Sequence, residues 1–150
     1  MLRKVSALLL TAALLTGSVA ATAALGVTTG VRQEANVKLN GRAFEGEIVI
    51  ENGVVYVNAS KLATALGGSA AWDNMIESVL IAKDGTYALR MYKDSTFAYK
   101  NGEETRVPHP LRTIPGAVLV PLGFTAAELG ATVTYDEASQ TYQVEFPIQK

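Results

Sequence analysis

No cysteine occurs anywhere in the 150 residues, so no disulfide holds this fold together and no thiol is available for acylation or metal capture. Stability must therefore come from a packed apolar core. Charge is scarce as well: 18 % of residues are charged, 13 basic against 14 acidic, and the basic stripe with interleaved aromatics that a nucleic-acid partner requires is missing. A single histidine cannot build a multi-imidazole site, and a single tryptophan limits the aromatic surface. With 49 % hydrophobic residues, 13 glycines and 5 prolines, the composition is neither disordered nor collagenous. The length suits one domain or two very small ones.

The residues that are present begin with an uncharged stretch between Lys4 and Arg32. Leu2-Arg3-Lys4 supplies a positive start, Val5 to Leu15 is rich in leucine and alanine, and Ala21-Thr22-Ala23 fits the A-x-A cleavage pattern. This predicts an export signal over residues 1–23, a mature chain starting at Ala24, and a secreted or envelope-associated location. Loss of Arg3 and Lys4 would take the net charge from −1 to −3. The alternative is an uncleaved membrane anchor, but a spanning helix needs about 20 apolar residues. Here the strongly apolar run ends near Leu15, and Thr22, Gly26, Thr28, Thr29 and Gly30 dilute the remainder of the stretch. A cysteine-free exported chain fits a Gram-positive cell. Residues 24–36 show no clear period and read as a linker.

From Val37 the chain repeats itself. Asn40-Gly41 recurs as Asn101-Gly102, and Gly53-Val54-Val55-Tyr56-Val57 as Gly116-Ala117-Val118-Leu119-Val120. Leu66-Gly67 recurs as Leu129-Gly130, Trp72-Asp73 as Tyr135-Asp136, and Val79-Leu80-Ile81 as Tyr142-Gln143-Val144. From Gly53/Gly116 onward the offset is 63 residues, and at Asn40/Asn101 it is 61. Several landmarks at one offset predict an internal duplication.

Each copy has a physical reading. Asn-Gly favours a tight hairpin turn because both residues accept positive φ. Val37 and Leu39 share a strand face, as do Phe97 and Tyr99. The valine-rich runs after Gly53 and Gly116 predict buried strands. Ala59, Leu62, Ala63 and Leu66 form one helical stripe, and Leu122, Ala126 and Leu129 form another. Asn58 suits the N-cap of the first helix, Pro121 the first turn of the second, and Gly67 and Gly130 the left-handed residue that ends each. Val133 with Tyr135, and Tyr142 with Val144 and Phe146, return to strand spacing around a turn from Asp136 to Ser139. Leu89 and Met91, alternating with Ala88, Arg90 and Tyr92, add a strand between the copies. The fold class is therefore α+β: antiparallel sheet wrapped on two short helices, in two tandem ββαββ-like half-repeats. A lone copy of about 60 residues would bury only about 60 % of its unfolded surface, so both should share one core.

These landmarks resemble the copper amine oxidase N-terminal-like domain, or stalk domain, of exported bacterial proteins. The resemblance rests on Asn40-Gly41, Asn101-Gly102, Val120-Pro121-Leu122, Leu129-Gly130-Ala131, Val133-Thr134-Tyr135-Asp136 and Trp72-Asp73, and covers residues 37–146. It implies a sheet wrapped on a helix, in secreted or wall-associated proteins, as an appendage remote from the oxidase chemistry. Two departures stand out: Gly123 replaces the arginine that usually follows Val-Pro-Leu, and the first copy has Val57-Asn58-Ala59-Ser60 there.

Candidate chemistry fails residue by residue. A copper site needs clustered imidazole or sulfur ligands, and there is one histidine and no Asn-Tyr-Asp or Asn-Tyr-Glu stretch for a tyrosine-derived quinone. His109, within Pro108-His109-Pro110, reads as a surface residue on a connector. Ser60, Ser69, Ser78, Ser95 and Ser139 lack a base partner, and Gly-x-Ser-x-Gly is absent. Glu45 with Glu47, or Glu103 with Glu104, are the acid–base pairs a wall glycan hydrolase would use, but no second lobe forms a cleft around them. Trp72, Tyr56, Tyr87, Tyr92, Tyr99, Tyr135 and Tyr142 offer a stacking surface for sugars, although Trp72 and Tyr135, at matching places in both copies, read as core. The sequence thus points to a non-catalytic exported module with no catalytic, cofactor or metal residues. Its partner would be a cell-wall polymer or another exported protein, with no nucleic acid, and a membrane only if the signal is retained. A small exported hydrolase is the alternative.

Overall fold

Short apolar strands joined by tight turns account for most of the chain. In a computed structural model, residues 35–85 and 87–147 are described; the expected signal 1–23 and all of the expected linker except Ala35 and Asn36 lie outside them. The first half contains β1 (Asn36–Leu39), β2 (Arg42–Ala43), β3 (Ile48–Glu51), β4 (Val54–Asn58), α1 (Ala59–Ala65), β5 (Ser69–Asp73) and β6 (Ser78–Lys83). After β7 (Tyr87–Tyr92) come β8 (Phe97–Lys100), β9 (Glu103–Arg106), β10 (Arg112–Ile114), β11 (Ala117–Pro121), α2 (Leu122–Glu128), β12 (Thr132–Asp136) and β13 (Thr141–Glu145). The domain is α+β, with mostly antiparallel sheet around two short helices, and no described helix is long and apolar enough to cross a membrane.

Three sheets run in the orders β12-β13-β1-β2, β10-β11-β4-β3 and β5-β6-β7-β8-β9, so the first two each combine a hairpin from either half. In the second sheet β4 pairs antiparallel with β11, and Val57 faces Val120, its match at the offset of 63. Asn58 faces Leu119 and Tyr56 faces Pro121, so the register is symmetric about that central pair. Both central valines are fully buried. One exception breaks the antiparallel expectation: β1 runs parallel to β13, Asn36 beside Thr141 through Leu39 beside Val144. Two hairpins meet there without a covalent link between them, so no turn dictates their direction. In the third sheet β7 stands between β6 and β8, antiparallel to both.

Helix positions follow the local signals. The Asn58 side chain accepts from the Lys61 N–H at 3.0 Å, capping α1. Pro121 falls one residue earlier than expected, at the N-cap of α2 with extended φ and ψ, because β11 continues into it. Gly67 and Gly130 have φ of +80° and +90°. The N–H groups of Gly67 and Gly68 donate back to Thr64 and Ala63, and those of Gly130 and Ala131 to Ala127 and Ala126. This paired closure satisfies the last carbonyls of both helices.

One apolar cluster draws on both halves: Val37, Leu39, Leu62 and Leu66 join Leu89, Met91, Leu122, Leu129 and Val144. One expectation of burial fails, at Tyr135, and a second aromatic pair also faces outward. Phe97 and Tyr99 share a face, as their spacing requires, but it is the outer one, and Ala98 between them is buried. The Arg106 guanidinium lies over the Phe97 ring at 4.5 Å, and Tyr99 meets Tyr92 edge-on at 6.3 Å. Tyr135, expected in the core, is 49 % exposed and packs on Tyr142 with ring centroids 4.7 Å apart.

The asparagines of the Asn-Gly turns do more than turn the chain. Asn40 donates its N–H to the Val144 carbonyl and accepts the Phe146 N–H on Oδ1, both at 2.8 Å. Asn101 makes the same double contact with Ala88, also at 2.8 Å. Each turn thereby clamps the adjacent strand. At Thr125, where the first half has Leu62, the fully buried hydroxyl has no hydrogen-bond partner. Two substitutions should move stability in opposite directions. Asn40→Ala, which loses the acceptor and keeps a positive φ, should cost about 1–2 kcal/mol. Thr125→Val, which removes an unpaired buried hydroxyl at constant shape, should add about 1 kcal/mol. Urea denaturation of both variants checks the signs.

Candidate functional site

The third sheet parts from the second where β5 and β10, each a terminal strand of its sheet, approach the start of α1. A cleft of about 510 Å³ opens there. Small residues line it: Ala59 from α1, Ala70 from β5, Gly116 from the β10–β11 turn and Ala117 from the start of β11. Trp72 forms one wall: it shares the inner face of β5 with Ala70, packs partly on the core, and leaves the rest of its surface to the cleft. The indole Nε1–H donates to Asn74 Oδ1 at 3.0 Å. Thr113 and Ile114 of β10 line another side, with Ile114 partly exposed.

The polar groups around Trp72 come from short loops. Asp73 Oδ1 accepts the N–H groups of Met75 and Ile76, shaping the β5–β6 turn, just as Asp136 accepts from Ala138 in the β12–β13 turn. Glu77 and Lys93 form an ion pair at 2.9 Å at the cleft edge, supported by a backbone bond from the Lys93 N–H to the Glu77 carbonyl. The hydrogen bond to Glu77 and its charge hold the Lys93 ammonium above its ordinary range. The two charges balance, so the lining side chains carry no net charge.

The positions 63 residues away line a smaller cleft of about 240 Å³, with Gly53, Val54, Leu122, Gly123 and Val133. Pro108 and His109 stand in it, and no tryptophan does. His109 is exposed on the connector before β10, as its sequence context suggests. A third hollow of about 700 Å³, beside β2 and α1, includes Glu45 and Lys61.

The acid–base candidates do not assemble. Glu47 is exposed, and its Oε2 accepts from Asn58 Nδ2 at 2.6 Å. That bond foremost, with its own backbone N–H and the Lys61 charge, holds the Glu47 carboxyl below the usual carboxylate range. A glycosidase acid needs the reverse shift. Glu103 and Glu104 are exposed on β9, whereas Glu45 and Glu47 lie on the connection between β2 and β3. Among the described residues no three His, Cys, Asp or Glu side chains gather as metal ligands. Of the candidate stacking aromatics whose side chains are described, only Trp72 faces the larger cleft, and Tyr142 faces the smaller.

With strands, turns and helix ends in the order described, a family model for the copper amine oxidase N-terminal domain matches residues 38–144. The chain belongs to that family. No curated protein and no solved structure matches it. The copper amine oxidase N-terminal domain is a non-catalytic domain.

The depressed carboxyls set an acid limit on this domain. Glu47 and Asp136, the latter lowered by the Ser139 hydroxyl and then the Ala138 N–H, both titrate lower folded than unfolded. Their contribution is present above the unfolded carboxylate range and is lost as pH falls through the folded values. The double variant Glu47→Ala, Asp136→Ala should melt below the natural chain at pH 7, and the gap should close below about pH 4. Melting curves across that range test it.

Proposed function

We propose that this protein is an exported, non-catalytic binding module that engages a cell-wall polymer or another exported protein through the Trp72 cleft. The carrying observation is the cleft itself: a half-buried indole beside small residues, flanked by hydroxyl, amide and paired ionic groups. Its volume lies in the range of ligand sites, about 300–1,000 Å³. Export rests on the residue 1–23 pattern, with its positive start, short apolar run and Ala21-Thr22-Ala23. Membership of a non-catalytic family supports the absence of turnover across the matched residues.

A small wall hydrolase is the weaker reading, because its best acid candidate, Glu47, is tuned toward the anion by Asn58. Zymography on peptidoglycan should show no clearing, and clearing that disappears in Glu47→Ala would overturn the binding reading. Expressed in a Gram-positive host, the released protein should have the mass of a chain starting at Ala24; a full-length mass in the membrane fraction would mean a tethered module. Co-sedimentation with purified cell walls, or capture of a defined exported partner, should fall about tenfold in Trp72→Ala, the loss expected for one aromatic anchor. Binding unaffected by that substitution would move the site elsewhere.

A further inference from the structure

We infer that the ligand of the Trp72 cleft is a neutral oligosaccharide, one ring of which stacks on the indole; this rests on the binding-module reading and names its chemistry. The lining points to that class in four ways. First, the indole packs partly on the core and its N–H is already engaged by Asn74, so a flat partner meets a partly anchored platform. Second, the residues beside it, Ala59, Ala70, Gly116 and Ala117, are small and leave room for a ring against the indole.

Third, the polar groups are of the kind that meet sugar hydroxyls, which both donate and accept. Ser60 and Thr113 present exposed hydroxyls, and Asn74, whose Oδ1 takes the indole N–H, keeps its Nδ2 for a ligand. Fourth, the charges present are spent on each other, Lys93 on Glu77 at 2.9 Å. An anionic polymer would find no free cation among the lining residues, and a cationic peptide no free carboxylate. The smaller cleft sharpens the contrast, since it has less than half the volume and no tryptophan.

The single tryptophan makes the test direct, because all tryptophan emission of the chain comes from the site. Titrating the full chain with chitotetraose and with cellotetraose should change that emission saturably for at least one of them. By calorimetry Trp72→Ala should weaken binding about tenfold, and Asn74→Ala and Thr113→Val about threefold each. The last two residues are exposed, so an unchanged melting temperature in those variants separates lost contacts from lost fold. No saturable change up to about 10 mM of either sugar overturns the sugar assignment. If an alternating valine–threonine peptide saturates the emission while the sugars do not, the cleft belongs to an extended polypeptide; the sugar fails and the binding module stands. If Trp72→Ala leaves cell-wall co-sedimentation intact and no probe perturbs Trp72, both readings fail together.

Discussion

The antiparallel contact between β4 and β11 is the constraint on which the rest of the domain depends. It joins the two halves at Val57 and Val120, fully buried and directly opposite each other. Each strand runs straight into a helix, so fixing this pair also fixes where α1 and α2 begin. Leu62, Ala63 and Leu66 from one helix and Leu122, Ala126 and Leu129 from the other then enter a common interior. A strand covered on both faces needs no polar alternation, which is why Val55, Tyr56 and Val57 are consecutively buried.

Local signals in the sequence translate well into local structure. The Asn-Gly turns, the cap at Asn58, the glycines ending both helices and the apolar stripes all stand where residue chemistry places them. The failures share a cause. Period two says which residues share a face of a strand; whether that face is covered depends on elements distant in sequence. Spacing groups Phe97 with Tyr99 correctly but does not say which face is covered, and packing gives the covered face of β8 to Ala98. Tyr135 lies on β12, the outermost strand of its sheet, where Tyr142 gives its ring one neighbour and water the other side. The parallel junction of β1 with β13 leaves no local mark at all. The second role of Asn40, gripping Phe146 from 106 residues away, is equally hidden behind its role in the turn.

The cleft is legible in the sequence only in part. Trp72 stands out as a lone tryptophan, but the space before it is bounded by Ser60, Trp72 and Thr113, which no motif connects. It exists because β5 and β10 end two different sheets and diverge. The smaller cleft, lined by Gly53, Leu122 and Val133, has Pro108 and His109 on its lining and no tryptophan. The two hollows thus differ in surface although both adjoin the same shared interior.

The alignment of β1 beside β13 also has a mechanical side. Because the two strands run in the same direction, a chain entering at Asn36 and leaving at Glu145 departs from opposite ends of one ladder. Tension between those points acts along the strands and loads their hydrogen bonds together as a shear, with the Asn40 clamp on Phe146 adding to the resisting set. A hairpin pulled from its open end would instead unzip one bond at a time. Extension across these two strands is therefore resisted until the whole ladder slips.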